Sequence, residues 1–142
     1  MADTVAQRPV RPIAIARHPV YGMLLPVPVV CFIGALLTDL AYLCSGGNLI
    51  WVNFSSWLIA AGLLFGAIAG IFLLIDAVRR AAAWLSFGVL LAAWIVELIN
   101  SLVHARDGWT AVAGLGLILS VVGTLLVLIA GWLHRPITEV AP

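Results

Sequence analysis

Residues 108–133 read GWTAVAGLGLILSVVGTLLVLIAGWL and contain no charged side chain. Three other stretches share this property: residues 19–38, 40–75 and 81–96. A helix needs about 20 apolar residues to cross a bilayer, and a segment in lipid must satisfy its own backbone hydrogen bonds. Charged residues make up 9% of the chain, against about 25% in soluble domains. The sequence therefore predicts an integral membrane protein built from helices.

The charge-free stretches predict four transmembrane helices, over residues 18–43, 54–78, 82–104 and 110–134. Because short connections make sequential helices antiparallel neighbours, we expect an all-α, up-down four-helix bundle. The expected division of the chain is an N-terminal tail, a transmembrane domain and a C-terminal tail, at residues 1–17, 18–134 and 135–142. Pro26 and Pro28 remove backbone donors from the first helix and predict a kink there.

The distribution of arginine predicts the orientation. With four crossings, both termini lie on the same side as the connection between the second and third helices. Arg106 is the one arginine expected on the opposite side. Six arginines fall on the side of the termini: Arg8, Arg11, Arg17, Arg79, Arg80 and Arg135. The positive-inside rule therefore predicts that both termini are cytoplasmic. The placement of tyrosine and tryptophan near the helix ends agrees with this topology.

Small residues line one face of two predicted helices. In the second helix they are Gly62, Gly66 and Gly70, and in the fourth they are Gly116, Ser120 and Thr124. Such faces let another helix approach closely. Two interpretations stay open: the faces pack within the bundle, or they mediate a homodimer or dock a larger partner.

Four polar residues of the third predicted helix are spaced i, i+3, i+4 and i+7 and share one face: Glu97, Asn100, Ser101 and His104. Asp39 lies at a similar depth in the first helix. If the first and third helices face each other, the sequence predicts one outer cluster: Asp39, Glu97, Asn100 and His104. We expect Glu97, the deepest of them, to face the bundle interior, because ionisable groups within a span are costly in lipid.

Three functions could use this outer cluster. Its two carboxyl groups could share and relay a proton, its carboxylates and histidine could hold a divalent metal, or its buried carboxylate could bind a cationic substrate in a small transporter. The alternative is structural, with these side chains forming hydrogen bonds between helices.

A second polar set is expected at the cytoplasmic rim: His18, Asp76, Arg79 and His134. Asp76 precedes Arg79 by about one turn, which predicts an ion pair within one helix. His18 and His134 lie on the same side and could ligate a b-type haem through both axial positions. Their place at helix ends favours interfacial residues instead, so the cofactor is left undetermined.

The landmarks together resemble a known family. His18-Pro19 opens the first helix, and later landmarks include Asp39, Gly66, Gly70, Asp76, Asn100, Ser120 and Gly131-Trp132. This pattern is similar to the bacterial four-helix membrane proteins of the domain of unknown function 2231 family. The family's histidine early in the third helix is replaced here by Trp84-Leu85-Ser86, and His134 stands where a second glycine is usual. The resemblance implies a multi-pass protein of the inner membrane with redox or electron-transfer partners.

The chain contains no serine–histidine–acid motif, phosphate loop or CxxC pair, and its connections leave no room for a catalytic domain. We therefore expect a protein that is not an enzyme: a membrane subunit or anchor within a larger respiratory or transport assembly, for which the family resemblance implies electron-transfer partners. The alternatives are a small proton-coupled transporter or relay that uses Glu97, and a haem- or metal-binding electron-transfer protein.

Overall fold

A computed structural model describes residues 19–80, 83–106 and 112–133. The regular structure in these ranges is entirely helical: α1 Pro19–Leu24, α2 Pro26–Cys44, α3 Leu49–Arg80, α4 Trp84–Ala105, a π-helical turn Val112–Gly116, and α5 Leu117–Leu133. These elements form four segments that are long and apolar enough to cross a membrane: span 1, Tyr21–Cys44; span 2, Leu49–Arg79; span 3, Trp84–Ala105; and span 4, Val112–Leu133. The predicted all-α class with four membrane helices is confirmed.

Contacts between the spans establish an antiparallel ring. Moving along span 1, Phe32 packs on Gly62 and the Ala35 carbonyl lies 3.4 Å from the Ser55 hydroxyl, so span 2 runs in the opposite direction. The same inverse order relates spans 2 and 3 through Ser55–His104 and Leu63–Trp94. It relates spans 3 and 4 through Glu97–Gly123 and Asn100–Ser120. Spans 1 and 4 are related in the same way through Phe32–Thr124 and Asp39–Ser120. Each span therefore packs on the next, span 4 returns to span 1, and spans 1 and 3 face each other across the bundle axis.

The prolines interrupt span 1 where the sequence predicts a kink. Regular α-helix stops at Leu24 and resumes at Pro26. Leu25 keeps helical torsion angles, and its amide donates to the Tyr21 carbonyl at 2.9 Å. The following Pro26 and Pro28 have no amide hydrogen, so two backbone bonds are missing just beyond this point.

Span 2 begins five residues earlier than the sequence predicts, at Leu49 and not at Phe54. The side chain of Asn48 caps the helix, because its Oδ1 accepts the Ile50 amide at 3.1 Å. Gly46 and Gly47 have positive φ angles of 72° and 93° and complete the reversal before the cap. The prediction of a longer connection was wrong because it overlooked this capping residue.

The other predicted boundaries agree with the described helices to within two residues. Span 3 begins at Trp84 and ends at Ala105, and the described part of span 4 ends at Leu133. The tails at residues 1–17 and 135–142 lie outside the described residues, as do His18, Thr110 and His134.

The small-residue faces are used mainly inside the bundle. A Cβ at Gly62 would overlap the Phe32 ring, and one at Gly66 would lie 3.5 Å from Trp94. In span 4, Gly116, Ser120 and Thr124 are buried, and the Thr124 hydroxyl donates to the Phe32 carbonyl at 3.2 Å. Gly70 differs, because no atom of the other described helices lies within 4 Å of the position of its missing Cβ. Of the glycines in the span 2 face, Gly70 is thus the one open to an approaching helix.

Apolar clusters enclose a polar layer. The larger cluster fills one half of the bundle and is formed by Tyr21, Phe32, Ala69, Leu73, Leu90, Ala93, Val127 and Ala130. The smaller one consists of Tyr42, Val52 and Val112 and lies near the connection between spans 1 and 2. Asp39 lies between Phe32 and Tyr42 along span 1, so the polar side chains around it lie between the two apolar clusters.

Candidate functional site: a buried polar network

Six polar side chains from all four spans form one hydrogen-bonded group, which we term the polar network: Asp39, Ser55, Glu97, Asn100, His104 and Ser120. Five of them are 0% exposed, and His104 is 6% exposed. The structure therefore brings together the four residues of the predicted outer cluster and adds two serines to them.

Asp39 is the centre of the polar network. Its Oδ1 lies 3.0 Å from Nε2 of His104, and its Oδ2 accepts a hydrogen bond from the Ser120 hydroxyl. One carboxyl group of span 1 is therefore bonded to span 3 and to span 4. Removing either partner would leave a buried carboxyl oxygen unsatisfied, which is the costly outcome for a polar group in an apolar interior.

His104 extends the polar network to span 2. Its Nδ1 lies 3.0 Å from the Asn100 carbonyl oxygen, one turn back in the same helix, and Nε2 lies 3.2 Å from the Ser55 hydroxyl. The Ser55 hydroxyl in turn donates to the Ala35 carbonyl at 3.4 Å. The imidazole thus contacts polar groups of spans 1, 2 and 3 at once.

The structure corrects the expectation that no serine–histidine–acid arrangement exists, because Ser55, His104 and Asp39 meet. Their geometry differs from that of a hydrolase triad, in which serine and acid bind opposite ring nitrogens. Here both contact Nε2. The single hydrogen of the Ser55 hydroxyl also has a second acceptor in reach, the Ala35 carbonyl at 3.4 Å.

Asn100 connects Glu97 to the rest of the polar network. Its Nδ2 donates to Oε2 of Glu97 at 3.0 Å and to the hydroxyl of Ser120 at 2.8 Å. Both hydrogens of the amide are therefore used, one in the bond to Glu97 and one in the bond to Ser120. Oε1 of Glu97 and Oδ1 of Asn100 are buried and have no hydrogen-bond partner among the described residues.

The double donation by Asn100 interrupts any direct proton path along these side chains. A relay needs groups that both accept and donate, as a hydroxyl or carboxyl group does. Between Glu97 and Ser120 the only described link is an amide nitrogen that donates in both directions. The predicted carboxylate pair is therefore close in space but separated by a group that does not pass a proton on.

The carboxyl group of Glu97 faces the bundle interior, as the sequence predicts, and rests on Gly123 of span 4. A Cβ at Gly123 would overlap both Oε1 and the carboxyl carbon of Glu97. A glycine at this position is what lets a carboxyl group fit between spans 3 and 4. The sequence pattern did not point to Gly123, because this residue lies outside the four-residue spacing of Gly116, Ser120 and Thr124.

The metal hypothesis finds no support in the described residues. No group of three or more His, Cys, Asp or Glu side chains in residues 19–80, 83–106 and 112–133 is arranged to hold a metal ion. The physical reason is that Glu97 lies two helical turns before His104, and its carboxyl group bonds to Asn100.

Ser101, on the same predicted face, is half-buried.

The predicted cytoplasmic rim is described only in part. Asp76 is 7% exposed and Arg79 is exposed at the end of span 2. The ion pair predicted between them is not found among the contacts of the described residues. His18 and His134 lie outside the described residues, so the haem hypothesis that depends on them stays a prediction.

Comparison with known proteins identifies the family. The sequence model of a family described as predicted membrane protein (DUF2231) matches residues 17–135. The chain belongs to this family. The match to DUF2231 includes all four spans and every member of the polar network, and it agrees with the resemblance inferred from the landmarks. No curated protein and no solved structure matches the chain.

The contact between Glu97 and Gly123 generates a testable prediction. Gly123→Ala should lower the free energy of unfolding by about 1–3 kcal/mol, because the added methyl group overpacks the site. In a Glu97→Ala background the same change should cost much less, because the carboxyl group is gone. Unfolding of the four proteins in detergent measures this coupling.

Gly88→Ala serves as the matched control, since nothing lies within 4 Å of its missing Cβ. If Gly123→Ala costs the same with and without the Glu97 side chain, the described contact between the two residues is wrong.

Proposed function

We propose that this DUF2231 protein is a non-catalytic subunit or anchor of the bacterial inner membrane that associates with a larger assembly. The family resemblance implies that the assembly contains redox or electron-transfer proteins. The observation that carries the proposal is the polar network. The polar groups that could have served transport or catalysis are bonded mainly to one another across the four spans.

The geometry of the polar network supports a structural role. Asp39 bonds to spans 3 and 4, and His104 contacts spans 1 and 2, so each interaction joins different helices. A hydrogen bond between membrane helices contributes about 0.6 to 2 kcal/mol, and several of them specify which faces meet. Such a network suits a protein that must hold a fixed shape for a partner.

The outer surface supports association in the membrane. Large apolar side chains are exposed along the spans, including Met23, Trp57, Leu85 and Trp132. Between spans 2 and 3 lies an apolar groove of about 260 Å³, lined by Gly66, Ala67, Gly70, Ile71, Leu74, Phe87, Leu90, Leu91 and Trp94. Because Gly70 lacks a side chain there, a helix of another protein can approach the span 2 backbone closely.

The rival is a proton-coupled transporter or relay that uses Glu97. The observation in its favour is the pair of buried acceptors without a partner, Oε1 of Glu97 and Oδ1 of Asn100. The observation against it is the Asn100 amide, which donates to both neighbours and separates Glu97 from Asp39.

A partner test addresses the proposal directly. Purified in mild detergent, the protein should carry a stoichiometric partner or form a stable homodimer, detected by native mass spectrometry. Gly70→Ile should fill the groove and reduce the associated fraction at least about tenfold, equivalent to about 1.4 kcal/mol.

The matched control is Gly88→Ile, which adds the same side chain at an exposed glycine of span 3 that does not line the groove. Recovery of wild-type protein only as a monomer with turnover of its own would overturn the proposal.

A Glu97→Gln variant discriminates the rival. The glutamine keeps an oxygen to accept the Asn100 amide and preserves the side-chain volume next to Gly123. For a structural subunit, folding and association should match wild type, whereas a transporter should lose pH-dependent flux in proteoliposomes. Flux in the wild-type protein that Glu97→Gln abolishes would favour the transporter.

A further inference from the structure

We infer that Asp39 and His104 form a proton-binding site, in which the pair holds one proton between Oδ1 and Nε2 and loses its interhelical contact when that proton leaves. The inference rests on the proposed structural role of the polar network and adds a means of regulating it. It concerns the pair as a unit, whichever of the two atoms carries the proton.

The acceptors around the imidazole carry the argument. Nδ1 of His104 lies 3.0 Å from the Asn100 carbonyl oxygen, which can only accept, so Nδ1 carries a hydrogen. On the other side Nε2 lies 3.0 Å from Oδ1 of Asp39. Without a proton in this second contact, a nitrogen lone pair would face a carboxylate oxygen.

Two arrangements satisfy the Asp39–His104 contact, and they contain the same number of protons. Either the imidazolium donates to the carboxylate, or a carboxylic acid donates to the neutral ring. In both, the pair has no net charge. A free aspartate and a free neutral histidine together would hold one proton fewer and carry one negative charge.

Neighbouring hydroxyl groups do not supply the missing proton. Ser120 accepts from the Asn100 amide, and its own hydrogen is donated to Oδ2 of Asp39. The hydrogen of Ser55 has two acceptors in reach, the Ala35 carbonyl at 3.4 Å and Nε2 of His104 at 3.2 Å. A hydroxyl group has one hydrogen, and in neither case does it lie between Nε2 and Oδ1 of Asp39.

The surroundings favour a neutral pair. Span 2 faces the ring with the Ser55 hydroxyl, and span 4 contacts Asp39 through Ser120. Two ionisable residues precede and follow His104 in the chain: Glu97 lies two turns earlier in span 3, and Arg106 is exposed just past its end. In span 1, Tyr42 lies about one turn from Asp39. Among the described contacts of Asp39, only His104 can offset its charge, and an uncompensated buried charge is strongly unfavourable.

Loss of the proton has a defined structural consequence. It places two lone pairs 3.0 Å apart in the contact that joins spans 1 and 3. His104 is one residue from the end of span 3, and its side chain is 1% exposed. We therefore expect the proton to leave through this end of the bundle, next to Arg106. The folded pair holds a proton that the unfolded chain releases. The free energy of unfolding therefore falls as the pH is raised until the pair has lost this proton.

The test uses a variant in which His104 is the sole histidine, made by His18→Gln and His134→Gln in the tails, since the chain has three histidines. In lipid nanodiscs, nuclear magnetic resonance reports the protonation of the ring nitrogens and of the Asp39 carboxyl group. We expect one shared proton at neutral pH, and a thermal unfolding midpoint that falls together with its loss on raising the pH.

Asp39→Asn is the comparison variant, because its amide can donate permanently to a neutral ring. Its unfolding midpoint should show at most half the pH dependence of the parent protein. If this variant does not fold, the spectra of the parent protein decide alone.

An ionised Asp39 beside a neutral His104 at neutral pH, in the folded parent protein, would overturn the inference. That result would leave the partner test unaffected. Conversely, a protein that holds the shared proton but associates with nothing would contradict the proposed function and not the proton site.

Discussion

The hydrogen bonds to the Asp39 carboxyl group are the interaction on which the rest of the bundle depends. The hydrocarbon core of a bilayer offers no water to a polar side chain, so each buried polar group must find its partner in the protein. Asp39 does so by bonding to spans 3 and 4, and its histidine partner reaches span 2. Satisfying one carboxyl group therefore requires spans 1, 3 and 4 to be in place, and span 2 joins them through the histidine.

Several local features of the chain position this group of side chains. The Asn48 cap begins span 2 about two turns before Ser55, which contacts His104, and Gly123 leaves space for the Glu97 carboxyl group. A π-helical turn at Val112–Gly116 directly precedes the helix that presents Ser120. Such turns are uncommon and often accompany functional sites. The same geometry that joins the helices also leaves Asn100 between the two carboxyl groups. This favours a structural role of the polar network over a proton relay.

Composition and periodicity predicted the fold class, the four spans and the interruption before Pro26, because each depends on local chemistry. Helical spacing also predicted the outer cluster, since Glu97, Asn100 and His104 share one face whatever surrounds them. Ser55 was missed because serine is common in membrane helices and no other polar residue marks its face. Ser120 was singled out only as a small packing residue. Which face of span 4 meets Asp39 depends on how the helices rotate against each other, and that is not visible in one sequence.

The unfolding free energy of a Ser120→Ala variant in detergent tests most directly whether the polar network holds the bundle together. The change removes the donor to Asp39 and the acceptor of the Asn100 amide, so a loss of about 1–3 kcal/mol is expected. Ser56→Ala is the matched comparison, because that hydroxyl bonds at 2.9 Å to the Val52 carbonyl of its own helix. A clear loss for Ser120→Ala beside a small change for Ser56→Ala is the predicted result. Equal effects of the two substitutions would contradict the account.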